Sequence, residues 1–97
     1  MKSLEDIRAF LRAQNVHLRE HYGVSIVGIF GSYTRGEQGP GSDLDVLVDI
    51  VRPISLLELV GAEIYLSEAL GLKVDLVPKR DVREELREAV NATTVAL

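Results

Sequence analysis

The sequence predicts a small α/β (α+β) fold, a mixed β-sheet with helices packed on it. Three observations carry that expectation. Short apolar runs at residues 24–30, 43–51 and 73–77 have the length and composition of strands. Capped helical segments, residues 3–22 and 55–70, precede and separate them. The connections set the strand directions. Residues 31–42 hold only a helical turn and a turn-rich loop, whereas a parallel neighbour needs a full crossover, usually with a proper helix. The first two strands are therefore expected antiparallel. The strand–helix–strand passage from 43 to 77 is instead a right-handed crossover between parallel strands.

Each element has its own local signature. Ser3 is a candidate N-cap with Asp6 three residues on, and Leu4, Ile7, Leu11 and Leu18 follow at helical spacing up to the stop at Gly23. His17 and His21 lie four apart on that helix, a spacing that metal sites use, but no third ligand accompanies them. They read better as two solvent-facing histidines. Residues 24–30 are nearly all apolar, as in a strand buried on both faces. After Pro53, Ser55 and Glu58 form a second capping box, and Leu56, Leu57, Leu59, Val60, Ile64 and Leu70 support a helix closed by Gly71. Gly61, an interior glycine, points to close packing. The third strand, 73–77, ends at Pro78. Asp81 and Glu84 suggest a third capping box, with Val82, Leu86 and Val90 as the buried stripe of a last helix. Arg80, Arg83 and Arg87 interleave with Glu84, Glu85 and Glu88, as on a solvated face held by i,i+3 and i,i+4 pairs. The tail, 93–97, has strand propensity and suits an edge strand or a partner contact.

The chemistry concentrates between Gly31 and Asp45. Asp43 and Asp45 project to one side of an extended strand, and two carboxylates so placed repel unless a cation joins them. Mg2+ is commonly held by one or two carboxylates plus substrate phosphates. Gly31 and Ser32 offer what a phosphate needs: close backbone approach, N–H groups and a hydroxyl at a helix start. Antiparallel pairing brings this cradle and the carboxylates to one sheet edge. Parallel pairing then brings Asp75, the one acidic residue of the third strand, to the same edge. A bland reading stands beside each. The aspartates could cap a turn, Asp75 could be an edge-strand charge, and Gly31–Ser32 could be a tight turn.

Gly31-Ser32, ten intervening residues and Asp43-x-Asp45 resemble the signature of the polymerase-β-like nucleotidyltransferase superfamily. The fuller string, Gly-Ser-Tyr-x-Arg-Gly and then Ser-Asp-x-Asp, is similar to its minimal nucleotidyltransferase branch, although Thr34 stands where alanine is common. The resemblance implies that fold, and Mg2+-dependent transfer of AMP from ATP, with two ions held by Asp43, Asp45 and Asp75. It further implies that Gly31 and Ser32 hold the leaving pyrophosphate. Arg35 recurs in the string; its guanidinium suits a phosphate, an acidic partner surface, or an ion pair with Glu37 or Asp43. Many members of the branch are antitoxins of a HEPN-domain toxin. The implied acceptor is a tyrosine of such a toxin, bound as a hetero-oligomer. The alternative is a non-catalytic module that neutralises the toxin by covering its active site.

Composition bounds the rest. The 97 residues, 46% hydrophobic and 27% charged, suit one domain over 1–97, expected in the cytoplasm because no signal-peptide core or membrane-length apolar run occurs. There is no cysteine, which excludes disulfides and thiolate metal sites. A net charge of −4 argues against direct nucleic-acid binding. Five aromatic residues and no tryptophan leave no recognisable nucleobase pocket.

Overall fold

A computed structural model describes residues 3–31 and 43–97. Helix α1 (Leu4–Tyr22) begins at Ser3, whose hydroxyl accepts the Asp6 N–H at 3.1 Å while the Asp6 carboxylate accepts the Ser3 N–H at 3.2 Å. It ends at Gly23, in the left-handed region with φ 68°. Strand β1 (Val24–Phe30) follows directly, and β2 (Leu44–Ile50) pairs with it antiparallel. Helix α2 (Leu56–Leu70) repeats the arrangement of α1, with a Ser55–Glu58 capping box and Gly71 closing it. Strand β3 (Val74–Pro78) returns parallel to β2. A short helix α3 (Glu84–Thr93) leads to β4 (Val95–Ala96), which pairs antiparallel with β1. The sheet order is β3-β2-β1-β4. This is the mixed sheet the sequence predicts, including its edge-strand tail.

The two faces of the sheet differ. Ile26 and Ile29 of β1, Leu44, Val46 and Val48 of β2, and Val74 and Leu76 of β3 join Ile7, Leu11 and Leu18 of α1 and Ala62 and Leu66 of α2 in one core. Alternation sends Asp45, Leu47 and Asp49 to the other face. On that face Gly28 has no side chain, and a Cβ there would lie 2.5 Å from the Val95 carbonyl and 2.7 Å from the Thr94 methyl. The glycine lets the end of α3 and β4 close down on the sheet.

Both sheet edges are covered by helix side chains. On β3, Ser67 accepts the Val74 N–H at 2.9 Å and Glu63 accepts the Leu76 N–H at 2.8 Å. On the β4 side, Arg8 donates to the Ala96 carbonyl at 2.7 Å and Arg12 to Leu97 O. An open edge is a template for unwanted pairing, and these contacts occupy it.

The C-terminal third departs from the sequence reading. Asp81 caps no helix: Lys79–Asp81 tighten into a 3-10 turn, Val82 is extended, and α3 starts at Glu84 without a side-chain cap. Proline at 78 ends the strand and starts this turn, which moves the helix N-cap two residues on, from the expected Asp81 to Arg83. The expected stripe is correspondingly shallow. Val82 lies before the helix, Leu86 is 50% exposed, and no α3 residue with a described side chain is buried. The arginine–glutamate pairs expected on this segment do not form among the described residues. Gly61 meets only the Tyr22 ring at 3.4 Å, an ordinary contact. His17 is half-buried, with its ring centroid 4.4 Å from His21 and 5.0 Å from Tyr65, so the pair belongs to an aromatic cluster between α1 and α2.

Candidate active site

Strand register builds the site. Phe30, the last residue of β1, pairs with Asp45, and Asp45 pairs with Asp75. Residues paired across neighbouring strands sit about 5 Å apart and point to the same face, so the Asp45 and Asp75 carboxylates are side by side. Both belong to the face opposite the helical core and are half-buried. Asp43 lies one residue before β2, where the Leu44 N–H donates to the Lys73 carbonyl at 2.9 Å and ties the two strand starts together. The Asp43 carboxylate lies 3.6 Å from the Lys73 ammonium. Lys73 is 71% exposed and reaches the site as well.

Gly31 directly follows β1 with φ 86°, a conformation that disfavours any L side chain. A Cβ at this position would land on the Asp45 carboxylate. Backbone and carboxylate thus approach as closely as they can only because residue 31 is glycine. Ser32, the other residue of the expected phosphate cradle, and Arg35 lie outside the described residues, as do the helical turn and loop expected between Gly31 and Asp43.

Among the described residues no group of three or more His, Cys, Asp or Glu side chains forms a ready metal cage. Asp45 and Asp75 stand together, and Asp43 is turned toward Lys73. The donor set is hard oxygen, the type that suits Mg2+, and Mg2+ takes few protein ligands and fills its sphere with water and phosphate.

A second feature of this face was not legible in the sequence. A cleft of about 410 Å³ lies between β2, the 3-10 turn and α3, lined by Leu47, Lys79, Arg80, Val82, Arg87 and Asn91 among others. Leu47 is two residues on from Asp45 along the same face, so the floor of the cleft continues from the carboxylates.

A nucleotidyltransferase domain profile matches residues 11–95. This chain belongs to the nucleotidyltransferase domain family. A protein of Methanocaldococcus jannaschii that carries a provisional protein adenylyltransferase name is 49% identical over 82 residues, 84% of each chain. The protein adenylyltransferase MntA of Thermococcus cleftensis is 44% identical over 90 residues, 93% of this chain and 91% of that one. Among solved structures, one provisionally described as a minimal nucleotidyltransferase superposes with a TM-score of 0.81 at 35% identity, covering 99% of this chain and 97% of that one. A toxin–antitoxin crystal structure with AMP-PNP gives a TM-score of 0.71 at 26% identity, over 96% of this nucleotidyltransferase and 71% of that chain. A complex of tri-AMPylated Shewanella oneidensis HEPN toxin with its MNT antitoxin shares the fold, with a TM-score of 0.63 at 20% identity, over 92% of this chain and 70% of that one. The fold of this nucleotidyltransferase is the minimal nucleotidyltransferase fold, and its class of chemistry is nucleotidyl transfer. Among the described residues, no helix is long and apolar enough to cross a membrane.

Proposed function

We propose that this nucleotidyltransferase moves AMP from ATP to a hydroxyl of a HEPN-type toxin, and that it is the antitoxin of that pair, acting through one domain over residues 1–97. The observation that carries this reading is the register Phe30–Asp45–Asp75, with Gly31 closed against Asp45. Support comes from the relatives named as protein adenylyltransferases and from solved toxin–antitoxin complexes of the same fold, one holding AMP-PNP and one a toxin bearing three AMP groups.

Each residue has a distinct task in this reading. Asp43 and Asp45 would hold Mg2+, with Asp75 beside them for a second ion; bound metal would offset phosphate charge and favour loss of the acceptor proton. Gly31 and Ser32 would present backbone N–H groups and a hydroxyl to the leaving pyrophosphate. Arg35 would pair with a phosphate or with an acidic surface of the toxin. In-line displacement then sets the directions. Pyrophosphate leaves on the β1 side, so the acceptor hydroxyl approaches from the β3 side, where Asp75 can orient it and take its proton.

The direct test is the mass of the toxin after co-expression. Whole AMP increments that vanish with Asp43→Ala/Asp45→Ala are expected. An unmodified toxin beside a folded nucleotidyltransferase, Mg2+ and ATP would rule the activity out. One observation favours a second reading. Leu56, Leu57 and Ile64 of α2 are 76%, 81% and 53% exposed, an apolar stripe fitted to a protein contact. A module that neutralises the toxin by coverage alone would still suppress it, at stoichiometric amounts, with both aspartates replaced.

A further inference from the structure

The cleft beside the carboxylates has a charge that the rest of the chain does not share. The net charge is −4, yet Lys79, Arg80 and Arg87 line this cleft against the single carboxylate of Asp49. None of the three cations pairs with a carboxylate among the described residues. Arg87 is anchored by its Nε–H, which donates to the Val82 carbonyl at 3.3 Å, and its guanidinium has further donors for a ligand. Leu47 and Val82 add an apolar floor and wall.

The chemistry of the cleft selects its occupant. Its cations form a patch and not a track, because Asp45 and Asp49 flank Leu47 on the same face of β2. A nucleic-acid backbone needs a continuous basic stripe, which an acidic chain interrupted in this way does not offer. Guanidinium groups match carboxylates in bidentate geometry, and the apolar floor takes an aliphatic side chain between them. Acidic side chains interleaved with an apolar one fit this cleft.

Position assigns it to the acceptor. Gly31, just after β1, marks the leaving-group side, whereas the cleft lies over β2 and the residues that follow β3. Leu47 is two residues on from Asp45, and Lys79 four on from Asp75. At roughly 3.3 Å per residue the cleft is then about 7–13 Å from the carboxylates. An extended segment spans that distance with about two to four residues.

We propose that this cleft docks an acidic segment of the acceptor protein, a few residues from the hydroxyl that receives AMP, and so selects which hydroxyl is modified. The proposal rests on the transferase reading above. No bond is made or broken in the cleft; its cations hold the segment while the carboxylate edge acts on the hydroxyl.

The test is fluorescence-polarisation titration of labelled peptides into the protein saturated with Mg2+ and AMP-PNP. The probe is a short synthetic peptide with one tyrosine, a leucine, and glutamates from the third residue beyond the tyrosine. Its twins carry glutamine or lysine in place of glutamate, and a single-stranded oligoadenylate RNA competes in a parallel series. The glutamate peptide is expected to bind at least tenfold more tightly than the glutamine twin. Arg80→Gln/Arg87→Gln should abolish that preference, and Arg80→Glu/Arg87→Glu should reverse it in favour of the lysine twin, a swap that a merely structural role would not produce. AMP-PNP affinity should stay within threefold of the parent in both. With the toxin as acceptor, charge reversal should raise KM at least tenfold and leave kcat within threefold. If the three peptides bind the parent alike, if the RNA displaces the glutamate peptide, or if AMP-PNP binding weakens with the arginine changes, the docking role is overturned and the transferase reading stands. If AMP-PNP does not bind the parent, the transferase reading falls and takes the acceptor role of the cleft with it.

Discussion

Two glycines show how one residue type does opposite work in this chain. Gly31 has φ 86° and its missing Cβ is the space that the Asp45 carboxylate uses. Gly61 has no such constraint, since an added methyl would touch only the Tyr22 ring at 3.4 Å. Gly61→Ala is therefore expected to stabilise the protein by about 0.5–1 kcal/mol, the usual gain of alanine over glycine inside a helix. Gly31→Ala is expected to cost about 1–2 kcal/mol from the left-handed backbone alone, and to weaken nucleotide binding by displacing Asp45. Urea titration of both variants measures the stability terms, and AMP-PNP titration separates the second effect. A neutral Gly31→Ala with unchanged nucleotide affinity would place the phosphate cradle elsewhere.

At the scale of elements, helix α2 completes the sheet as well as packing on it. Glu63 and Ser67 accept two N–H groups on the open edge of β3, at 2.8 and 2.9 Å. Glu63→Ala leaves the Leu76 N–H without its partner and is expected to cost about 1–3 kcal/mol, with Glu63→Gln recovering part of that. Amide exchange at Leu76 is the specific readout, because a general loss of helix stability would leave β3 no faster to exchange than its neighbours. Such contacts are tertiary, and no local pattern in the sequence announces them. The Ser3–Asp6 and Ser55–Glu58 boxes could be read beforehand because both partners lie within one turn. Asp81 and Glu84 have the same spacing but fail, since the residues after Pro78 tighten into a 3-10 turn first. That Asp75 comes to the same sheet edge as Asp45 was legible from loop lengths, through strand direction, but the register that pairs the two was not. The cationic cleft was not: Leu47, Lys79 and Arg87 meet only once α3 crosses the sheet.

The whole molecule places its two kinds of chemistry on opposite faces of one sheet. Helices α1 and α2 bury the apolar side, and the acidic edge and cationic cleft share the other. Ligand that binds only the folded form must then stabilise the entire cooperative unit. At a hundredfold excess over Kd the gain is about 2.7 kcal/mol. For a chain of this length that corresponds to a rise in Tm of roughly 10–20 °C. Two effects oppose each other when Asp43→Asn is made without ligand. Removing one of several like charges at the edge relieves repulsion. The same change gives up the 3.6 Å contact with Lys73, which at 71% exposure contributes little. The ligand-free Tm of Asp43→Asn is therefore expected to match or slightly exceed that of the parent. The rise on adding Mg2+ and AMP-PNP should largely disappear, and Asp45→Asn should lose it too. Thermal melts of the three proteins, each with and without ligand, measure both quantities. A lower ligand-free Tm in Asp43→Asn with the ligand rise intact would make Asp43 a structural partner of Lys73 and leave the metal to other residues.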